Sequence, residues 1–167
     1  EVAAAPEASP KSLRQTIHDG DFIVSSGVTT IKDQNLTIQG NLLVDGTGKL
    51  VIINSELHFQ QEYNQQYRAY VRHQAMLEMH DVQLYTGGKW FNFQYNNDAK
   101  VILDKVQGQD CCIPWHGSSE NTQFTIKDST VGLTVSQNVK VQAEGSSLFF
   151  ELVLSDVQGR YELPTGH

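Results

Sequence analysis

Hydrophobic and polar positions alternate along most of this chain, and one short pattern of them recurs at nearly constant spacing. The pattern is an aliphatic residue, four mixed residues that become polar toward the end, and a second aliphatic residue. Its five copies begin at Ile52, Leu77, Val101, Ile126 and Leu152, and a weaker sixth copy begins upstream, at Ile31. Periods between about 20 and 50 residues are typical of proteins in which one structural unit stacks on the next.

Short runs of apolar and β-branched residues, with glycine between them, follow residue 20. Examples are residues 22–24, 28–31, 36–38 and 42–44. Alternation with a period of two predicts strands, and no stretch between Gly20 and Tyr161 sustains the period of a helix. An antiparallel sandwich or barrel would also contain short strands, but it has no reason to repeat one phrase at fixed spacing. Stacked parallel strands do, because equivalent residues then lie one above another at about 4.8 Å.

On this periodicity, residues 21–160 resemble the right-handed parallel β-helix superfamily, the pectate-lyase-like proteins. The resemblance implies an all-β fold, a right-handed single-stranded parallel β-helix of about five to six coils within residues 11–167. Residues 1–10 are rich in Ala and Pro and are interpreted as a linker or a processed N-terminus. Leu13 and Ile17 on one face, followed by Gly20, predict a short helix that caps the open end of the stack.

Overlaying the copies predicts which residues form columns along the stack. The inward column is expected to contain Leu36, Leu57, Val82, Val106, Val131 and Val157. A first outward column is expected to contain Thr37, His58, Gln83, Gln107, Gly132 and Gln158. A second is expected to contain Gln39, Gln60, Tyr85, Gln109, Thr134 and Arg160. Amide side chains both donate and accept hydrogen bonds, which suits sugar hydroxyls, although glutamine is also tolerated on any solvated sheet.

Aromatic residues are concentrated between the repeats. Trp90 and Trp115 are one period apart, so the sequence predicts that they stack in neighbouring coils. Aromatic rings beside polar side chains are a common way to hold neutral glycans, since a ring packs against the C–H face of a sugar. Phe91 and Phe93 are instead interpreted as core residues.

Composition limits the partners. The net charge is −7, with 12 Lys+Arg against 19 Asp+Glu, which argues against a nucleic-acid-binding protein. No apolar run approaches the roughly 18 residues that span a bilayer, so no membrane partner is predicted. Charged residues make up only 19%, and this polar, weakly charged composition favours a secreted protein.

Ser55, His80 and Asp104 occupy equivalent positions in three successive copies and look like a catalytic triad. However, the same column continues as Ser129 and Ser155. Small polar residues are the expected occupants of a turn, because they satisfy local backbone groups. The column is therefore interpreted as a row of turn residues.

Other candidate chemistry is sparse. Enzymes of the polygalacturonase type need two or three outward carboxylates close together, and the two outward columns contain none. Asp81 with Asp104 or Asp110 is the best remaining pair. The adjacent cysteines 111–112 could form a metal site with His116, but a vicinal disulfide or a buried pair suits their spacing better. No metal or cofactor is predicted.

The sequence therefore predicts a non-catalytic module that binds a neutral plant cell-wall polysaccharide, with xylan favoured. It resembles the β-helix-type modules attached to enzymes that degrade such polysaccharides, which implies a catalytic domain in the same chain. Stacking on sugar rings is predicted for Trp90, Trp115, Tyr85 and Tyr95. Hydrogen bonds to sugar are predicted from His58, Gln60, Gln83, Gln107 and Gln109. The alternatives are a small polysaccharide lyase or glycoside hydrolase, and a structural or adhesion protein that self-associates through its glutamine-rich face.

Overall fold

A computed structural model describes the backbone of residues 12–109, 113–117, 121–135 and 139–152. It describes their side chains as far as residue 147. These residues form a single sheet of 15 strands whose pairings are all parallel. The strands are β1 (Arg14–Asp19), β2 (Phe22–Val24), β3 (Val28–Lys32), β4 (Gln34–Gln39), β5 (Leu42–Val44), β6 (Lys49–Phe59), β7 (Arg68–Val71), β8 (Met76–Tyr85), β9 (Asn92–Tyr95), β10 (Lys100–Gly108), β11 (Pro114–Gly117), β12 (Gln123–Lys127), β13 (Thr130–Val135), β14 (Lys140–Glu144) and β15 (Ser147–Leu152). The all-β, parallel part of the prediction is confirmed.

The sheet wraps into a solenoid with three stacks of strands, called faces A, B and C. Face A contains β3, the first halves of the three long strands β6, β8 and β10, and then β12 and β14. Face B contains β1 and β4, the second halves of the three long strands β6, β8 and β10, and then β13 and β15. Face C contains β2, β5, β7, β9 and β11, and the second half of β13 joins it.

The corner between faces A and B repeats one backbone conformation. Asp33, Asn54, Asp81, Lys105 and Asp128 all have a φ between 46° and 56°, the left-handed region. Asn and Asp tolerate this region better than most residues, because their short polar side chains bond locally. One such residue lets a single strand turn from face A to face B without a loop, which explains why β6, β8 and β10 are long.

The spacing of stacked residues along the chain varies more than the sequence pattern suggests. Leu36 pairs with Leu57, whereas Leu57 pairs with Leu84, which is a longer step along the chain. The predicted pairing of Leu57 with Val82 is therefore wrong by two residues, and Val82 pairs with Ser55 instead. The step is shorter again near the C-terminal end of the described chain, where Gln123 of β12 pairs with Lys140 of β14. The cross-section narrows there.

The interior of the solenoid is apolar and closely stacked. The described residues of the predicted inward column are all buried, namely Leu36, Leu57, Val82, Val106 and Val131. Phe91 and Phe93 are fully buried, as predicted, and their rings pack against Phe59. Val157 lies outside the described residues.

The predicted N-terminal capping helix is wrong. Residues Arg14–Asp19 form strand β1, which pairs in parallel with β4. The reason is tertiary: Thr16 and Ile17 are β-branched, and backbone pairing with β4 satisfies polar groups that an isolated short helix would leave exposed. Ile17 points outward and is 71% exposed. The proposed linker, residues 1–10, lies outside the described residues.

Candidate functional site

Ten outward side chains on face B form a continuous polar surface, here called the amide face. Its first row is Asn35, Glu56, Gln83 and Gln107, its second row is Thr37, His58, Tyr85 and Gln109, and its third is Gln39 and Gln60. These residues point outward because strand side chains alternate, and their neighbours Leu36, Leu57 and Leu84 are buried. The rows differ from the predicted columns because of the two-residue register shift.

Hydrogen bonds link the amide face from strand to strand. The Nε2 of Gln39 donates to Oε1 of Gln60 at 2.8 Å. Gln109 donates through Nε2 to Oε1 of Gln83, which is itself in register with Gln107. Gln83 and Gln107 are therefore neighbours on one surface, as the sequence predicts. The exposed amide hydrogens and oxygens that remain are available to a ligand.

His58 and Tyr85 stack on one another within the second row. Their ring centroids are 4.4 Å apart and their planes differ by 6°. One face of the Tyr85 ring is thus covered by His58, so the predicted stacking on a sugar would use the opposite face. The predicted role of His58 in hydrogen bonding stays a prediction.

Trp90 stands at the corner between faces B and C, beside the end of the amide face. Its side chain is 46% exposed. Residues 61–65 form a loop that hydrogen-bonds to both the N–H and the carbonyl of Trp90. Trp90 N–H donates to Asn64 Oδ1 at 3.1 Å, and Trp90 O accepts from Gln65 N–H at 2.8 Å. The Nε2 of Gln61 also donates to Trp90 O at 3.3 Å. Because Gln61 directly follows Gln60 of the amide face, Trp90 is close to that surface.

Tyr63 is an aromatic residue that the sequence-based site omitted. It is 62% exposed and belongs to the same loop that holds Trp90. The aromatic residues between β6 and β7 were visible in the sequence, but nothing there distinguished an exposed ring from a buried one.

Trp115 and Tyr95 are core residues, so their predicted place on the exposed surface is wrong. Trp115 is 2% exposed and stacks on Phe93, with centroids 4.2 Å apart, and on Tyr95, at 5.6 Å. Trp115 is in register with Phe93 and not with Trp90, because the step from β9 to β11 is shorter than the repeat of the sequence pattern. Burial raises the pKa of the Tyr95 phenol well above its usual value.

The triad suggested by Ser55, His80 and Asp104 does not assemble. Ser55 is buried at the corner, where its Oγ donates to Ile53 O at 2.7 Å and accepts from Gln34 N–H at 3.1 Å. His80 is in register with Ile53 on face A, and its Nδ1 lies 3.5 Å from Asp104 Oδ2. Ser55 is therefore a turn residue, as the sequence analysis concluded.

Ionic groups elsewhere serve the structure. Asp45 accepts hydrogen bonds from His73 Nδ1 at 2.5 Å and Arg72 Nε at 2.8 Å, across the turns that follow β5 and β7. His73, and to a smaller extent the Gly46 N–H and Arg72, lower the pKa of Asp45 to about 2. No three His, Cys, Asp or Glu side chains of the described chain are arranged to hold a metal ion.

Asp110 and the cysteine pair 111–112 lie outside the described residues. Asp81 lies at the exposed A–B corner, and Asp104 lies on face A. Within the part of the chain that the structure covers, no helix is long and apolar enough to span a membrane.

Comparison with known proteins adds nothing to this geometry: no protein-family model, curated protein or solved structure matches the chain. The case for a function rests on the amide face and on Trp90.

Proposed function

We propose that this chain is a non-catalytic carbohydrate-binding module, built as a right-handed parallel β-helix of the pectate-lyase-like type. Its ligand is a neutral plant cell-wall polysaccharide, with xylan favoured. The module acts outside the cell and is tethered to a catalytic domain. The observation that carries the proposal is Trp90, an exposed indole whose backbone is held on both sides next to a surface of amides.

The amide face suits a linear glycan because its polar groups repeat with the strands. Neighbouring strands are about 4.8 Å apart, and one pyranose ring is about as long as that spacing. A glycan chain that runs along the solenoid, across the strands, would therefore meet a new set of polar side chains at each sugar. Amides satisfy hydroxyl donors and acceptors equally.

Trp90 supplies what the amide face lacks, an open aromatic surface. Tryptophan is enriched at binding surfaces because its ring is both apolar and able to donate a hydrogen bond, and a ring with a fixed backbone loses little conformational freedom on binding. Tyr63 extends the aromatic area in the adjacent loop. The sugar at this corner packs against Trp90, while the amide face orients the rest of the chain.

Affinity gel electrophoresis on a panel of neutral and acidic polysaccharides tests the proposal. We expect retardation in gels that contain xylan, without release of reducing ends. Trp90→Ala should abolish most of it. Tyr70→Ala is the matched control, because Tyr70 is a partly exposed aromatic in the outward column of face C. Unchanged migration of the wild type on every polysaccharide would refute the proposal.

A small polysaccharide lyase or glycoside hydrolase is the second candidate. Face A brings together Glu78, His80 and Asp104, with His80 3.6 Å from Glu78 and 3.5 Å from Asp104. Product release from glycans that disappears in Asp104→Asn would favour this candidate. Self-association in solution without glycan binding would instead favour an adhesion role for the glutamine-rich face.

A further inference from the structure

Glu56 is the one Asp or Glu side chain among the ten residues of the amide face. The sequence pattern left it out of both predicted outward columns, so those columns were expected to contain no carboxylate. The register shift brings it into the first row, beside Gln83. Its side chain is 33% exposed, so a ligand lying on the face reaches it.

The carboxylate of Glu56 is held through one oxygen. Asn35 Nδ2 donates to Oε2 at 2.7 Å, and His58 Nε2 lies 3.3 Å from the same atom. Oε1 accepts no hydrogen bond from the described residues. The arrangement fixes the carboxylate and leaves its second oxygen, a strong acceptor, to a ligand on the amide face.

The surroundings of Glu56 contain no permanent cation, because its ion-pair partner His58, at 3.3 Å, is charged only when protonated. The three outward rows of face B contain no Lys or Arg among the described residues of β1, β4, β6, β8, β10 and β13. Lys105 belongs to the A–B corner instead. A ligand group that meets Oε1 must therefore donate a hydrogen bond, and a positive charge is favoured over a negative one.

From this we infer that Glu56 makes the amide face exclude uronic-acid polymers, so that the face selects uncharged glycans over anionic ones. The inference rests on the proposed carbohydrate-binding function and specifies its ligand class. The hydroxyl of a neutral sugar can donate to Oε1, and a hydrogen bond to an ionised acceptor is of the stronger, charge-assisted kind. A uronate would place a second carboxylate against Glu56.

Isothermal titration with two oligosaccharides of equal length tests the inference: xylose and galacturonic acid hexamers. At about pH 7.5 carboxylates are ionised and most imidazoles are neutral. We expect the wild type to bind the xylose hexamer at least about threefold more tightly than the galacturonic acid hexamer, since an exposed pair of charges contributes about that much. The preference should weaken with added salt.

Glu56→Gln should tighten binding of the galacturonic acid hexamer at least about threefold, while binding of the xylose hexamer persists. Glu144→Gln, the same change at an exposed carboxylate on face A, should leave binding of both hexamers unchanged. If Glu56→Gln binds the galacturonic acid hexamer no more tightly than the wild type does, the inference is overturned and the proposed function stands. If neither hexamer binds, both the inference and the proposed function fail.

Discussion

The two tryptophans of this chain should respond in opposite ways to removal of the ring. Trp115 is 2% exposed and stacks against both Phe93 and Tyr95, whereas Trp90 is 46% exposed at a corner. Replacing a buried Trp or Phe with Ala typically lowers the free energy of unfolding by about 3–5 kcal/mol. For Trp115→Ala we expect about 4 kcal/mol, because two aromatic stacking contacts disappear together with the burial.

This loss is large compared with the total free energy of unfolding of a typical domain. Domains are typically stable by about 5–15 kcal/mol, and for a chain of this size each kcal/mol corresponds to about 2–4 °C in Tm. Trp115→Ala should therefore lower the Tm by about 8–16 °C. Trp90→Ala should cost about 1 kcal/mol or less, since the ring is only half buried and its backbone contacts remain.

Far-UV circular dichroism during thermal and urea denaturation measures both variants against the wild type. Glycan affinity, measured in parallel, should fall in Trp90→Ala. Trp115→Phe is a useful intermediate, because it retains a stacked ring and should recover much of the stability. Equal losses in the two alanine variants, or a Trp115→Ala variant as stable as the wild type, would refute the assignment of one ring to the core and the other to the surface.

Two further changes test the packing of the solenoid. Gly40→Ala should lower the free energy of unfolding by about 1–3 kcal/mol in urea denaturation, because the new Cβ would clash with backbone atoms of Gly20. Gly132→Ala, whose Cβ would meet nothing closer than 3.8 Å, is its control. The hydrogen bond from His73 lowers the pKa of Asp45 to about 2 from the usual 3.8, so its stabilisation is complete above about pH 4 and disappears as the pH falls toward 2. The stability difference between the wild type and Asp45→Asn, followed by denaturation across this range, should shrink as the pH falls; a constant difference would contradict the assignment.

The hydrophobic pattern was enough to predict parallel stacked strands, but not their register. Strand side chains alternate with a period of two, so a shift of two residues keeps every inward residue inward. Pairing Leu57 with Val82 or with Leu84 buries aliphatic residues equally well, and the sequence pattern cannot distinguish them. The structure selects Leu84, and the long connection after β6 accommodates the extra two residues.

The same limit explains which site residues were predicted. Gln83 and Gln107 were correctly placed together because the step from β8 to β10 matches the repeat of the sequence pattern. Glu56 was missed because the two-residue shift lies between β6 and β8, and this shift is what pairs Glu56 with Gln83. Trp115 was misplaced because the repeat aligns it with Trp90, whereas the strands of face C follow their own intervals.

The most direct test of the account is a nuclear magnetic resonance titration of the protein, labelled with nitrogen-15, with xylose oligosaccharides. The chain has two tryptophans, so two indole N–H signals report on the surface and the core separately. The account predicts that the Trp90 signal and the side-chain amide signals of Gln83, Gln107 and Gln109 shift as ligand is added, while the Trp115 signal stays in place. Signals that do not move at saturating oligosaccharide, or movement that is confined to residues of face A, would contradict it.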